Sequence, residues 1–309
     1  MKSYDTIIVG GGIAGLQAAI QLGRYSTIRT LVIDAGYGRS TLCRSYHNLL
    51  GFPDGISGEE LRKRGEETAA SLGIEFLCGR AVEACKQNAE FLITLEGGEV
   101  FGAPTLLLAT GVIDRFPDLP GLVSCLGSSM YICPDCDGYE VQNRRTVVLG
   151  AGKAGADMAL TLSDRTDQLI YINHEKTGVP DSLLNELRSK DIRYIEAAAA
   201  EVVCPSEGQL SGVRLEDGET IEAEKGFIAF GGNHVHSGLA EQLGVKLLHN
   251  RHVETDARSK MTNIEHVWAA GDLGAHSEQA AVAMGEGLLS AIWIHKALVK
   301  IKQKSATSR

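Results

Sequence analysis

Apolar runs and glycine clusters punctuate the chain in a repeating order. Residues 4–9 form an apolar run that enters Gly10-Gly11-Gly12-Ile13-Ala14-Gly15, and residues 16–22 then follow a helical period. A second apolar run over residues 30–33 ends at Asp34. The same order returns later: a run over 146–149, Gly150-Ala151-Gly152-Lys153-Ala154-Gly155, a helical stretch over 156–162, and a run over 168–172. Each copy continues into a period-two meander, with Phe91, Ile93 and Leu95 alternating before Gly97-Gly98, and Val213 and Leu215 before Asp217-Gly218. Each meander is followed by an apolar run that closes in small residues, Ala109-Thr110-Gly111 in the first copy and Gly231-Gly232 in the second.

After the second copy the chain goes back to the first. Residues 262–272 read as a strand ending in Gly271-Asp272, and from about Ser277 a helix places Ala281, Met284, Leu288, Ala291, His295 and Leu298 on one stripe. The expected class is α/β: two Rossmann-like nucleotide-binding domains of three ββα layers, the second inserted in the first. The expected boundaries are residues 1–114 with 239–309 for one domain and 115–238 for the other.

The glycine spacing has a chemical reading. In Gly-x-Gly-x-x-Gly the first glycine permits a tight turn, the second lets backbone approach a pyrophosphate, and the third lets helix and strand pack closely. Gly10, Gly12 and Gly15 fit this, with Ile13 and Ala14 opening a helix whose N–H groups face phosphate. Asp34 stands 19 residues past Gly15, where an acid accepts hydrogen bonds from a ribose. Gly150, Gly152 and Gly155 form a second nucleotide site, with Glu175 20 residues past Gly155. An acid there binds free ribose hydroxyls and repels a 2′-phosphate, and Ile172-Asn173-His174-Glu175-Lys176 has no arginine. NADPH is therefore disfavoured, leaving NADH or no nicotinamide.

Charge and cysteine content narrow the rest. The 309 residues carry 30 Lys and Arg against 39 Asp and Glu, a net −9, which argues against a nucleic-acid partner. No window approaches the roughly 20 uninterrupted apolar residues of a spanning helix, and the best stretch, 288–299, is broken by His295 and Lys296. The apolar run near the start is too brief for a secretory signal, so no membrane partner and a cytoplasmic location are expected. Of seven cysteines only Cys133 and Cys136 stand as a close pair, while Cys43, Cys78, Cys85, Cys125 and Cys204 read as packing residues. In a reducing compartment such a pair is more often redox-active or metal-binding than structural. With no second Cys-x-x-Cys pair and no nearby Cys/His cluster to complete four ligands, no metal is expected.

Together, the first glycine loop, His47-Asn48-Leu49-Leu50-Gly51-Phe52-Pro53 with Gly58-Glu59-Glu60-Leu61, Ala109-Thr110-Gly111, the Cys133/Cys136 pair, the second glycine loop and Ala270-Gly271-Asp272 resemble the low-molecular-weight thioredoxin reductases. The resemblance spans nearly the whole chain. It implies FAD in the first fold, with Asp272 on the ribityl or pyrophosphate side and Ala35, Asn48, Ala109, Thr110, Gly111, Gly271, Gln279 and Ala280 around the cofactor. It also implies a homodimer. Cys136 would face the flavin, Cys133 would attack a partner disulfide, and Asp137 would donate and recover the proton at the leaving sulfur. The implied partner is a thioredoxin-like protein or a small dithiol or disulfide.

Departures from that family point to an unusual electron source. The family's His-Arg-Arg run is missing, Glu278-Gln279-Ala280 stands where the reductases have Arg-Gln-Ala, and Gly155 replaces an alanine. Donors other than NADPH then come forward: NADH, ferredoxin or another flavin. The Cys-Pro-x-Cys-x-Gly-x-Glu form also resembles dithiol oxidases that close disulfides in small natural products, although those carry histidine at the place of Asp137. A dithiol oxidase using oxygen and a non-turnover flavin redox sensor are the alternatives.

Overall fold

The computed structural model describes residues 2–307. It separates into two units, one of Met1–Thr41, Gly58–Ile113 and His234–Arg309, the other of Leu42–Ser57 and Asp114–Asn233. Both are α/β, and each holds a parallel sheet, a small antiparallel meander and helices.

In the first unit five parallel strands run in the order Val267–Ala269, Thr105–Leu108, Thr6–Val9, Thr30–Asp34, Glu75–Cys78. Their centre is covered on both faces, which is why these strands are continuous apolar runs rather than alternating ones. Ile7, Leu106 and Val267 face the cluster shared with the meander, while Ile8, Val32, Leu107 and Trp268 face the helices. The meander strand Glu90–Leu95 does alternate, burying Phe91, Ile93 and Leu95.

The helix Ile13–Gly23 packs beneath the long terminal helix Ala280–Thr307. Gly287 sets their approach, since a Cβ there would lie 2.1 Å from the Ala14 carbonyl oxygen. This contact adds Ala283 and Ile294 to the expected stripe, of which Ala291 and Leu298 are buried as expected and Ala281 is exposed. On length and a mean hydropathy of 1.3, the segment Ala280–Lys304 is sufficient to cross a membrane, contrary to the expectation that no segment would be. Its apolar face is nonetheless core to this unit.

The second unit repeats the plan with parallel strands in the order Met130–Tyr131, Lys225–Ala229, Thr146–Gly150, Leu169–Asn173, Arg193–Ile195. Its meander comprises Ala199–Val203, Gly212–Leu215 and Thr220–Glu222, with Val213 and Leu215 buried as their alternation requires. On sequence alone residues 42–57 belong with the first fold, but the structure groups them here. The reason is close backbone contact: a Cβ on Gly127 would lie 2.5 Å from the Leu42 oxygen and 2.6 Å from the Arg44 nitrogen.

Two cysteines read as packing residues are bonded to each other. Cys125 and Cys204, 79 residues apart, form a disulfide, a pairing that only the tertiary fold creates. Cys43, Cys78 and Cys85 remain free thiols.

Candidate active site

The first glycine loop closes by steric necessity. Gly10, at φ +110°, passes so near the end of Thr105–Leu108 that a Cβ would lie 2.2 Å from the Ala109 oxygen, and one on Gly15 would lie 1.9 Å from the Gly10 oxygen. A Cβ on Gly12 would meet nothing within 4 Å. Gly12 caps the helix without a side chain, so the first N–H groups of that helix have no capping side chain. Asp34 accepts from the Gly11 N–H at 3.0 Å and from Arg62 Nη2 at 2.7 Å, leaving lone pairs on its carboxylate for ribose hydroxyls.

The same unit brings other expected residues to this loop. A Cβ on Gly271 (φ +73°) would lie 2.9 Å from Ala14 Cβ, so the Gly271–Leu273 turn abuts the helix start. Asp272 pairs with Arg39 at 3.0 Å, and Arg39 also bonds Glu278, the acid that stands at the family's arginine position. Burial raises the Asp272 pKa, with Arg39 opposing. Thr110 donates to the His236 oxygen at 2.7 Å, Gly111 turns at φ +68°, Ala35 follows Asp34, and Ala280 begins the terminal helix just after Gln279. Asn48 lies on Leu42–Ser57, within the other unit.

Sequence patterns do not reveal the support behind Gly271. Buried Glu286 accepts from the Gly271 N–H at 3.1 Å and pairs with His276 at 2.8 Å and Lys260 at 2.8 Å. Its hydrogen bond to Glu286 raises His276 to about 9. Burial opposes ionisation of Glu286, but the bonds from His276 and Lys260 prevail and lower its pKa. An isolated glutamate among small helical residues gives no signal of this role. The open space at Gly12, the helix start without a capping side chain and the pinned Gly271–Asp272 turn fit a dinucleotide such as FAD.

The second glycine loop is approached closely by its own chain. In register, Gly150 stands opposite Asn173, as Gly10 follows the pairing of Val9 with Ile33 and so faces Asp34. Asn173, not Glu175, thus holds the place of Asp34. Its Oδ1 accepts from the Gly152 N–H at 3.0 Å and its Nδ2 donates to the Thr177 oxygen at 2.7 Å. Tyr171 donates to the Gly152 oxygen at 2.7 Å, in space that a Cβ on Gly155 would invade at 2.3 Å from the ring. In front of Gly152 (φ +49°), a Cβ would meet Thr177 Oγ1 at 2.8 Å and the Gly178 oxygen at 3.2 Å. Glu175 is engaged at 2.6 and 3.1 Å by Arg115, which also donates to the Gly231 and Phe230 oxygens. The arginine missing from residues 172–176 thus arrives from a distant position, and its hydrogen bond lowers the Glu175 pKa.

Cys133 and Cys136 form a disulfide with Cα atoms 5.3 Å apart. The intervening backbone winds into the helical turn Pro134–Asp137, with proline at its first position and the Cys136 N–H donating to Cys133 Sγ at 3.2 Å. Burial raises the Asp137 pKa to about 6, Glu140 adding to the rise while His47 and Lys225 oppose it. His47 Nδ1 lies 3.8 Å from Glu140. Free Cys43 is pushed up to about 12, by burial first and then by Asp137. Among the described residues, no group of three His, Cys, Asp or Glu is placed to hold a metal ion.

Residues 4–287 match the family described as pyridine nucleotide-disulphide oxidoreductase. Thioredoxin reductase of Treponema pallidum is 31% identical over 297 residues, covering 93% of this chain and 95% of that protein. The F subunit of Staphylococcus aureus alkyl hydroperoxide reductase is 27% identical across 94% of this chain, which spans 58% of that longer protein. The crystal structure of HlmI superposes with a TM-score of 0.88 at 26% identity, covering 99% of this chain and 96% of that one.

Proposed function

Because the chain belongs to the pyridine nucleotide-disulphide oxidoreductase family, as a thioredoxin-reductase-like flavin-dependent disulfide oxidoreductase, we propose that Cys133 and Cys136 exchange electron pairs between FAD and an external thiol–disulfide substrate. In this reading the enzyme is a cytoplasmic homodimer. Its substrate is a thioredoxin-like protein or a small dithiol or disulfide, and its electron donor is NADH, ferredoxin or another flavin rather than NADPH.

One observation carries the reading: a bonded Cys-x-x-Cys pair followed directly by a carboxyl group that holds its proton up to a pH of about 6. Gly10, Gly12, Gly15, Asp34 and the Gly271–Asp272 turn would hold FAD, which when bound supplies the two-electron carrier that a disulfide matches. In the reduced pair, Cys133 Sγ attacks a sulfur of the substrate disulfide and breaks its S–S bond. Asp137 gives its proton to the departing substrate thiolate. Cys136 Sγ then displaces the second substrate sulfur from Cys133, so that the substrate leaves as a dithiol and the protein disulfide re-forms.

The close approach of residues 177–178 to Gly152 supports a donor other than NADPH. Stopped-flow reduction of the bound flavin by NADPH, NADH and reduced ferredoxin tests this, and rapid bleaching by NADPH at micromolar levels would overturn it. Asp137 supplies a pH test. Only its acid form donates, so the rate of substrate reduction carries a downward step as pH rises through about 6, and Asp137→Asn removes that step. The same close approach also favours a second reading, in which electrons pass from a small dithiol to oxygen. Oxygen uptake with such a dithiol, lost in Cys136→Ser, distinguishes it.

A further inference from the structure

Besides Cys133–Cys136, the second unit holds a sulfur–sulfur bond that the proposed reaction does not use. Cys125 ends the helical turn Leu122–Cys125, and Cys204 follows the strand Ala199–Val203. These two walls are joined without sulfur. The Val202 N–H donates to the Pro120 oxygen at 2.9 Å, and the Gly208 N–H donates to the Ser124 oxygen at 3.0 Å. Gly121, at φ +80°, brings them so close that a Cβ would lie 2.0 Å from the Val202 oxygen. The cysteines therefore stay neighbours when the bond between them opens.

The two sulfurs differ in access. Cys125 is completely buried among Leu122, Leu126, Met130 and Val202. Cys204 is half-buried and lines a groove of about 460 Å³ that Pro120, Ser124, Glu201 and Glu207 also border. Both glutamates are paired, Glu201 with Arg214 and Glu207 with Arg44, which lessens their repulsion of an incoming thiolate.

We propose that Cys125 and Cys204 form a second redox couple, in which Cys204 exchanges with external thiols and disulfides through this groove and Cys125 is the buried sulfur that closes the ring. The inference rests on the reading of the chain as an enzyme of a reducing compartment, where disulfides are mostly transient or redox-sensing. In the reducing direction, one thiolate of an external dithiol attacks Cys204 Sγ, the bond to Cys125 breaks, and Cys125 leaves and takes a proton. The second thiol of the reductant then displaces Cys204 from the mixed disulfide. Two electrons and two protons pass to the protein, and the reductant departs as a disulfide. An external disulfide drives the reverse.

The test uses the full-length flavoprotein equilibrated in mixtures of reduced and oxidised dithiothreitol, with thiols trapped by alkylation and read peptide by peptide. Cys125 and Cys204 should change state together, their oxidised-to-reduced ratio moving about tenfold per tenfold change in the buffer ratio. This should hold in the wild type and in a variant carrying Cys133→Ser and Cys136→Ser. Hydroxyethyl disulfide should leave a persistent adduct on Cys204 in Cys125→Ser and none on Cys125 in Cys204→Ser. Where the single variants fail to fold, the wild-type titration decides alone. The proposal fails if both cysteines are alkylated in air-equilibrated protein, if their bond survives buffers that open Cys133–Cys136, or if the adduct forms on Cys125. Normal titration of this couple alongside a Cys133–Cys136 pair that never exchanges electrons with flavin would sustain it and sink the proposed reaction.

Discussion

Gly12 and Gly152 hold the same place in the same three-glycine spacing, yet their surroundings differ. A Cβ at Gly12 would project into open space, whereas one at Gly152 would strike Thr177 and Gly178. The difference arises after the second strand of each repeat. In the first, Asp34 turns its carboxylate to Gly11 and Arg62 and leaves the loop open. In the second, Asn173 binds both the Gly152 N–H and the Thr177 oxygen, drawing residues 177–178 across the loop. The shared glycines thus record what a strand-to-helix turn demands of the backbone. Capacity for a ligand is decided by the residues just beyond the second strand.

The largest effect should come from Gly12→Val. The backbone there is extended and unstrained, so the fold should hold while flavin affinity falls about 100-fold or more, read as loss of yellow colour on purification. A fully yellow variant breaks the contrast between the loops. Glu286→Gln should be next, costing about 3 kcal/mol in denaturant unfolding because it strips a buried carboxylate from two cations. It should also erase a pH signature. His276 holds its proton up to about 9, so its contribution to stability is complete below the ordinary imidazole pKa and disappears as pH rises through 9.

Gly152→Ala should cost about 1–2 kcal/mol, since the left-handed backbone and Thr177 both oppose a Cβ, and flavin content should not change. An unaffected melting midpoint would mean that residues 177–178 do not press on this loop. Smallest of all, Arg115→Ala should cost below about 1 kcal/mol in thermal unfolding, because its pair with Glu175 is partly exposed. A loss several times larger would make that pair a principal clasp of the second loop.

The two repeats, their glycines and the Cys133/Cys136 pair were legible because each obeys a local rule: strand period, turn chemistry or short spacing. The place of Asp34 at the end of the second strand, beside the first loop, was legible for the same reason. Glu175 was not placed by counting from Gly155, because the register of Gly150 with Asn173 decides which residue faces the loop. Arg39, Arg62 and Arg115 were invisible as loop partners, since each reaches its carboxylate from a distant stretch of chain. The Cys125–Cys204 bond escaped for that reason as well. The terminal helix keeps Ala291 and Leu298 of its apolar stripe buried but adds Ala283 and Ile294, because Gly287 against Ala14 helps to set its rotation.

That close contact between Gly287 and Ala14 has a consequence during synthesis. Strand Thr6–Val9 and the helix after it precede the second unit in the chain, but strand Val267–Ala269, the Gly271 turn and Gly287 come only after it. All residues of the second unit precede them. A nascent chain therefore finishes the inserted unit while the outer one is still missing an edge strand and a covering helix, so a flavin site built on the Gly271 turn would close only after the inserted unit has been made.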